Sequence, residues 1–321
     1  VAELIDLTLD DQRPEPPPAD DVCEISVDSD ETAAPPSPLP PQSAELSQID
    51  TLRAALSPAK ARLAQLTADE AQLVKLAWRG PRGEILAHIP AARIHLSRSD
   101  LRRLQRTSWL NDEVINAYLA LINTRSAAGR SEASPRKAPR VYCFNTFFYT
   151  RLTQGQKGEY DYAGVARWTR RAKVDVVAYD LICVPVNLNN YHWVLAVVDM
   201  RMRRFVYLDS MHGGDAADVL GTLRRWLADE VRAKHGPGRL DDMGLDNWPD
   251  EHNVGIPRQS DGGSCGVFST LFAEALSRKR RRSAGHSSKR TKICDFGQKD
   301  IQLLRKRMLI ELLLGRLPDL T

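Results

Sequence analysis

Three short stretches carry residue types that do covalent chemistry: Asn190-Tyr191-His192-Trp193, Val206-Tyr207-Leu208-Asp209-Ser210, and the run QSDGGSCG from Gln259 to Gly266. A thiol, an imidazole and a carboxylate together supply a nucleophile, a base that takes its proton, and an anion that fixes the tautomer of that base. His192 opens one apolar run and Asp209 closes the next. If those runs pair as antiparallel strands through the basic turn Asp199 to Arg204, the two side chains meet on one rim of the sheet. Cys265 follows a glycine-rich turn and opens an apolar, helix-period stretch. The free N–H groups and positive dipole end of a helix N-terminus favour the thiolate form. Each residue alone has a plainer reading: a structural His, a turn-forming Asp, a small buried Cys. Together they point to a Cys-His-Asp hydrolase.

The elements that must position these groups are legible from periodicity. Leu181 to Val186, Trp193 to Val198 and Phe205 to Leu208 read as strands, the last two as a hairpin. Val267, Phe268, Leu271, Phe272 and Leu276 predict a helix running on from Cys265. Asp100 to Ile122 predicts a short helix, a turn and a longer helix with Val114, Ile115, Tyr118, Leu119 and Ile122 on its apolar face. Leu220 to Ala233 and Asp300 to Leu314 add two more helices, and Ser126 to Arg140 reads as a polar loop. Helices around a small sheet give an α+β class. Residues 44–83 read as a helical linker, with Pro58 expected to open its second helix. The globular region is expected over 84–321.

Charge divides the chain further. Residues 1–32 hold eleven acidic residues against one basic, Arg13, whereas the remainder holds 44 basic against 30 acidic. Nine of the nineteen prolines fall between Pro14 and Pro41. Such a segment buries too little apolar surface to offset its ordering entropy, so 1–43 is expected to be disordered, with a partner of its own. No apolar run is long enough for a membrane span, and the acidic N-terminus lacks the features of a secretory signal. Five widely spaced cysteines offer neither a disulfide framework nor a metal-ligand pair, which suggests a reducing compartment, with no metal and no cofactor expected.

The stretches SWLNDEVINAYLALI (108–122), VYCFNTFFYTRL (141–152), YAGVARWTRR (162–171), VPVNLNNYHWVLAVVD (184–199), FVYLDSM (205–211), PRQSDGGSCGVF (257–268) and DFGQKDIQLLRKRM (295–308) resemble, in order, the SUMO-specific ubiquitin-like-protein proteases. The resemblance implies a papain-like cysteine protease fold, with a small mixed central sheet flanked by helices. It implies cleavage after the Gly-Gly tail of a SUMO-type protein, in deconjugation, precursor maturation or both. It makes Cys265 the nucleophile, His192 the base, Asp209 its orienter and Gln259 an oxyanion-hole donor. Trp109 and Trp193 would roof a slot that admits only side-chain-free backbone. Asp112 would meet a basic residue of the partner, with a helix N-cap as its plainer role. Asp261 stands where the family usually has Asn, and Ser264 where it has Asp. The stretch between Asp209 and Cys265 looks longer than usual, with an extra loop expected at Gly236 to His252. Two readings of another kind remain: a SUMO-binding adaptor without catalysis, and a protease for a different ubiquitin-like protein.

Two further segments resemble short signals. Ile5, Leu7 and Leu9, and again Ile25 and Val27, form β-prone apolar cores followed by acids. They resemble SUMO-interacting motifs, which add a strand to an edge of SUMO. The basic clusters at Arg278 to Arg282 and Lys289 to Lys292 resemble a nuclear import signal read by an import receptor, or else a solvated insertion loop. The expected location is the nucleus, with the cytoplasm second. Nucleic acid is not expected as a partner.

Overall fold

The computed structural model describes residues 44–128, 138–155, 159–214, 216–278 and 292–319. The tail residues Ile5, Leu7, Leu9, Ile25 and Val27, and most of the two basic clusters, lie outside the described residues.

Helices α1 (Ala44–Ala55) and α2 (Ala68–Ala77) lead into strands β1 (Ile85–Ile89) and β2 (Ile94–Ser97) and helices α3 (Arg98–Arg102) and α4 (Asp112–Ala128). Strand β3 (Val141–Cys143) is followed by the short helices α5 (Phe147–Thr153), α6 (Tyr162–Val165) and α7 (Trp168–Arg171). Then come β4 (Leu181–Leu188), β5 (His192–Asp199), β6 (Arg204–Leu208), α8 (Ala216–His235), α9 (Pro237–Met243) and β7 (Asp250–His252). The chain closes with α10 (Cys265–Arg278) and α11 (Ile301–Leu314).

Five strands form one mixed sheet in the order β3-β4-β5-β6-β7, parallel at both edges and antiparallel at its centre. Strand β5 is buried at all eight positions. Its alternate side chains feed two cores: Trp193, Leu195 and Val197 pack with α4, α10 and α11, while Val194, Ala196 and Val198 pack with α5 and α8. That double burial explains why the strand reads as a continuous apolar run and not as an alternation. Trp226 of α8 is fully buried in the second core and meets Phe144 and Phe148 edge-on. Three residues, Asn189, Asn190 and Tyr191, join β4 to β5; the two asparagines are at positive φ and the Tyr191 N–H donates to the Leu188 carbonyl at 3.0 Å. This is the tight hairpin geometry that asparagine tolerates best, and it fixes where β5 begins.

The structure corrects three expectations. Pro58 does not open a helix; α2 starts at Ala68, where Thr67 and Glu70 form a reciprocal capping box. The segment read as a linker is part of the core, because Ile49, Leu73, Leu76 and Ala77 are buried in it. Arg62, also buried, pairs with Glu274 at 2.7 Å and Glu311 at 2.9 Å. The stretch from Gly236 to His252 is not an extra loop: it holds α9, a short 3-10 turn and β7, and Trp248 and Met243 are buried. Its polar, glycine-containing composition hid the few apolar anchors.

Candidate active site

The hairpin does what its register requires. The β5–β6 ladder ends at Leu195 opposite Leu208, and the next residue, Asp209, turns back toward the start of β5. His192 Nε2 lies 2.6 Å from Asp209 Oδ1. Backbone N–H groups of Met211 and Gly213 also donate to the Asp209 carboxylate, at 2.8 Å each, and Asn253 Oδ1 accepts from its own N–H at 2.7 Å. Burial would raise the Asp209 carboxyl, but the hydrogen bonds from His192 and the backbone outweigh it and hold it below the usual range.

With Nε2 taken by Asp209, Nδ1 is the ring nitrogen left for Cys265, whose side chain also acts on the imidazole. Burial alone would lower His192. Asp209 and Cys265 win, and the imidazolium is held up to about 9. Its neighbours thus favour a charged imidazole beside the sulfur, the pairing of base and nucleophile that a cysteine hydrolase uses.

Cys265 is the first residue of α10 and is 4% exposed. The turn before it is organised by Asp261. One carboxylate oxygen accepts from the N–H groups of Gly263 (3.0 Å) and Ser264 (2.9 Å), the other from Ser264 Oγ (2.8 Å) and Gln298 Nε2 (2.6 Å). Burial would raise Asp261, yet these four donors lower it, so it stays ionised. Gly263 is required by space: a Cβ there would stand 1.7 Å from the carbonyl oxygen of Thr107.

Gln259 is buried beside this turn. Its Oε1 accepts from Ser210 Oγ at 2.5 Å, and its Nε2 donates to the Asp261 carbonyl at 2.7 Å. Those two bonds fix the orientation of the amide and leave one N–H of Nε2 for another acceptor.

Trp109 is half-buried; its indole N–H donates to the Gly262 carbonyl at 2.9 Å, and its ring meets Tyr191 edge-on at 5.4 Å. Trp193 is 7% exposed. A Cβ on Gly266 would come 3.3 Å from Trp193 Cδ1 and 3.3 Å from Leu110 Cβ, so that glycine lets both side chains pack against the first turn of α10. Asp112 opens α4 and is half-buried, but it does not cap the helix: Asn111 Oδ1 accepts from the N–H of Val114 at 3.3 Å.

The structure therefore brings His192, Asp209, Cys265, Gln259, Trp109 and Trp193 around one turn. Sequence reasoning missed Ser210, Asn253, Gln298 and Tyr191. Ser210 and Tyr191 sit beside triad members in sequence, which was the available signal. Asn253 and Gln298 come from distant loops and carry none. Among the described residues no group of three or more metal-binding side chains is present.

Comparison with known proteins agrees with this geometry. The profile of the Ulp1 protease family, C-terminal catalytic domain, matches residues 108–314. A sentrin-specific protease of Caenorhabditis elegans is 38% identical over 247 residues, covering 76% of this chain and 31% of that protein. Human sentrin-specific protease 2 is 32% identical over 255 residues, covering 78% of this chain and 37% of its own length. The chain thus spans about a third of those relatives. Among solved structures, the catalytic domain of the Ulp1-like SUMO protease of Chaetomium thermophilum is 25% identical with a TM-score of 0.62, covering 81% of this chain and 94% of that one. The C-terminal Ulp1 protease domain solved with SMT3, the yeast SUMO, shares the fold at a TM-score of 0.60 and 24% identity, over 78% of this chain and 96% of that one. With a thiol, an imidazole and a carboxylate in the required contact and a profile match spanning most of the chain, this protein belongs to the Ulp1 protease family of cysteine proteases.

Proposed function

We propose that this chain hydrolyses the bond that follows the terminal glycine of a SUMO-type ubiquitin-like protein, in conjugates, in precursors or in both. The observation that carries this reading is the His192 ring held between Asp209 at 2.6 Å and the side chain of Cys265. The Cys265 thiolate attacks the glycine carbonyl carbon, and a C–S bond forms as the C=O becomes an oxyanion. The N–H of Cys265 and the free N–H of Gln259 Nε2 receive that charge, a stabilisation of about 3 kcal/mol per donor in comparable sites. His192 then gives its proton to the leaving amine as the C–N bond breaks, leaving a thioester. Water, deprotonated by His192, attacks the thioester and releases the glycine carboxylate. Asp209 holds the ring in place throughout.

Trp109 and Trp193 form the walls of a narrow slot that admits glycine backbone and rejects side chains. Asp112 contacts a basic residue of the ubiquitin-like partner. Ile5, Leu7, Leu9, Ile25 and Val27 give a second, non-catalytic hold on SUMO, and the basic clusters take the protein into the nucleus through an import receptor. Alanine at Ile5, Leu7, Ile25 and Val27 is expected to weaken SUMO binding by a Cys265→Ser variant in calorimetry; unchanged affinity removes that part. A fluorescent fusion that stays cytoplasmic removes the import reading.

A panel of ubiquitin-like proteins carrying a C-terminal fluorogenic amide tests the main reading. Release from SUMO-type members and not from ubiquitin is expected. Binding without release by the folded protein favours an adaptor, and release from another member alone reassigns the substrate.

A further inference from the structure

Arg305 is fully buried on α11, outside the triad and its oxyanion donors. One terminal nitrogen donates to the carbonyls of Arg103 (3.1 Å) and Ser108 (2.9 Å), in the loop that carries Trp109. The other donates to the Gly263 carbonyl (2.9 Å) and to Ser264 Oγ (3.1 Å), the two residues before Cys265. No described carboxylate forms an ion pair with it, and its Nε has no hydrogen-bond partner. A buried guanidinium held only by neutral oxygens costs stability unless its charge serves something nearby. The charged groups that interact with it are Asp261 and Cys265. Asp261 is the anion that orders the same turn, and its Oδ2 also accepts from Ser264 Oγ, so the cation and the anion share Ser264.

We propose that Arg305 is a positioning residue of this site: it clamps the Trp109 loop to the Cys265 turn and offsets the Asp261 charge so that the thiolate is not repelled. The inference rests on Cys265 being the nucleophile. The charged groups placed around the Cys265 turn are His192 from β5 with its partner Asp209, Asp261 within the turn itself, and Arg305 from α11. On the α4 side the neighbours of Gly266 are the apolar Leu110 and Ile115. Burial pulls the guanidinium down to about 10, still above neutral, so it remains charged where the enzyme would work. Asp261 and Arg305 should therefore act on the thiolate with opposite signs.

The test is the pH dependence of alkylation of Cys265 by iodoacetamide in the full chain, read by peptide mass spectrometry, beside kcat/KM on a SUMO-type fluorogenic substrate. Arg305→Gln is expected to move the acid limb of the alkylation profile up by about one pH unit, roughly a tenfold lower rate on that limb. Arg305→Lys, which keeps the charge, should restore most of the position of that limb. Asp261→Asn should move it the other way. A folded Arg305→Gln protein whose profile superimposes on the wild type overturns the proposal. If Arg305→Gln does not fold, Asp261→Asn decides, and an unmoved or upward limb overturns it. Alkylation needs no substrate, so opposite shifts in a protein that cleaves no ubiquitin-like substrate would uphold the role of Arg305 and sink only the substrate reading.

Discussion

At the scale of residues the site works because three side chains have few conformational choices. Asp209 accepts two backbone N–H bonds besides the His192 contact, so the carboxylate cannot swing away from the ring. The imidazolium is held up to about 9, above its ordinary 6.5. A group raised in the folded state contributes fully below its unfolded value, and the contribution is lost as pH rises through the folded one. Activity should therefore fall on the alkaline side near pH 9, as His192 loses the proton that the leaving amine needs. Asp209→Asn is expected to bring that limb down by roughly one to two units, since burial of the ring is then opposed by Cys265 without the carboxylate; kcat/KM measured across pH checks this, and an unmoved limb would separate Asp209 from the imidazole. Gln259→Ala is expected to lower kcat by about a hundredfold or more with little change in KM, because its free N–H acts only on charge that develops in the transition state. A pure KM effect would place Gln259 in substrate binding instead.

At the scale of elements the sequence was most readable where periodicity and chemistry coincided. The apolar runs around His192 and Asp209 became β5 and β6 in the expected antiparallel register, and Cys265 opens α10 as the glycine-rich turn implied. What stayed hidden was short or held together from afar. Strands β3 and β7 are three residues each, too brief for any period to show. Helix α2 is set by a capping box at Thr67, a stronger start signal than Pro58. Asp261 was visible only as an unusual carboxylate; that it receives four hydrogen bonds needed Gln298, a residue 37 positions away. The tight approach of the Thr107 carbonyl to Gly263 gives this level its own prediction. Gly263→Ala forces backbone against backbone, so it should cost on the order of 1–3 kcal/mol and reduce activity far more than global stability. Urea unfolding and kcat/KM on the same protein check it, and a fully active Gly263→Ala enzyme would show that the turn has more room than the structure gives it.

At the scale of the whole molecule the helices before the matched family region are part of the machine that holds α10. Arg62 lies among Tyr118 of α4, Glu274 of α10 and Glu311 of α11, all buried. Arg125 adds a second bond to Glu274 at 3.0 Å. Nothing in the sequence marked Arg62, because one arginine in a polar stretch looks like a solvated charge. Arg62→Ala leaves Glu274 and Glu311 short of a buried partner, so a loss of about 3–5 kcal/mol is expected in urea unfolding; a loss under about 1 kcal/mol, as for exposed ion pairs, would mean that water reaches the cluster. The proposed cleavage requires Cys265 to attack a glycine carbonyl at the end of a ubiquitin-like tail. Its most direct measurement is intact-protein and peptide mass spectrometry after incubation with SUMO bearing a C-terminal vinyl electrophile. A single adduct on Cys265, lost in Cys265→Ser and strongly slowed in His192→Ala, is the predicted result; a folded protein that forms no adduct, or forms it equally well on Cys143, Cys183 or Cys294, contradicts the account.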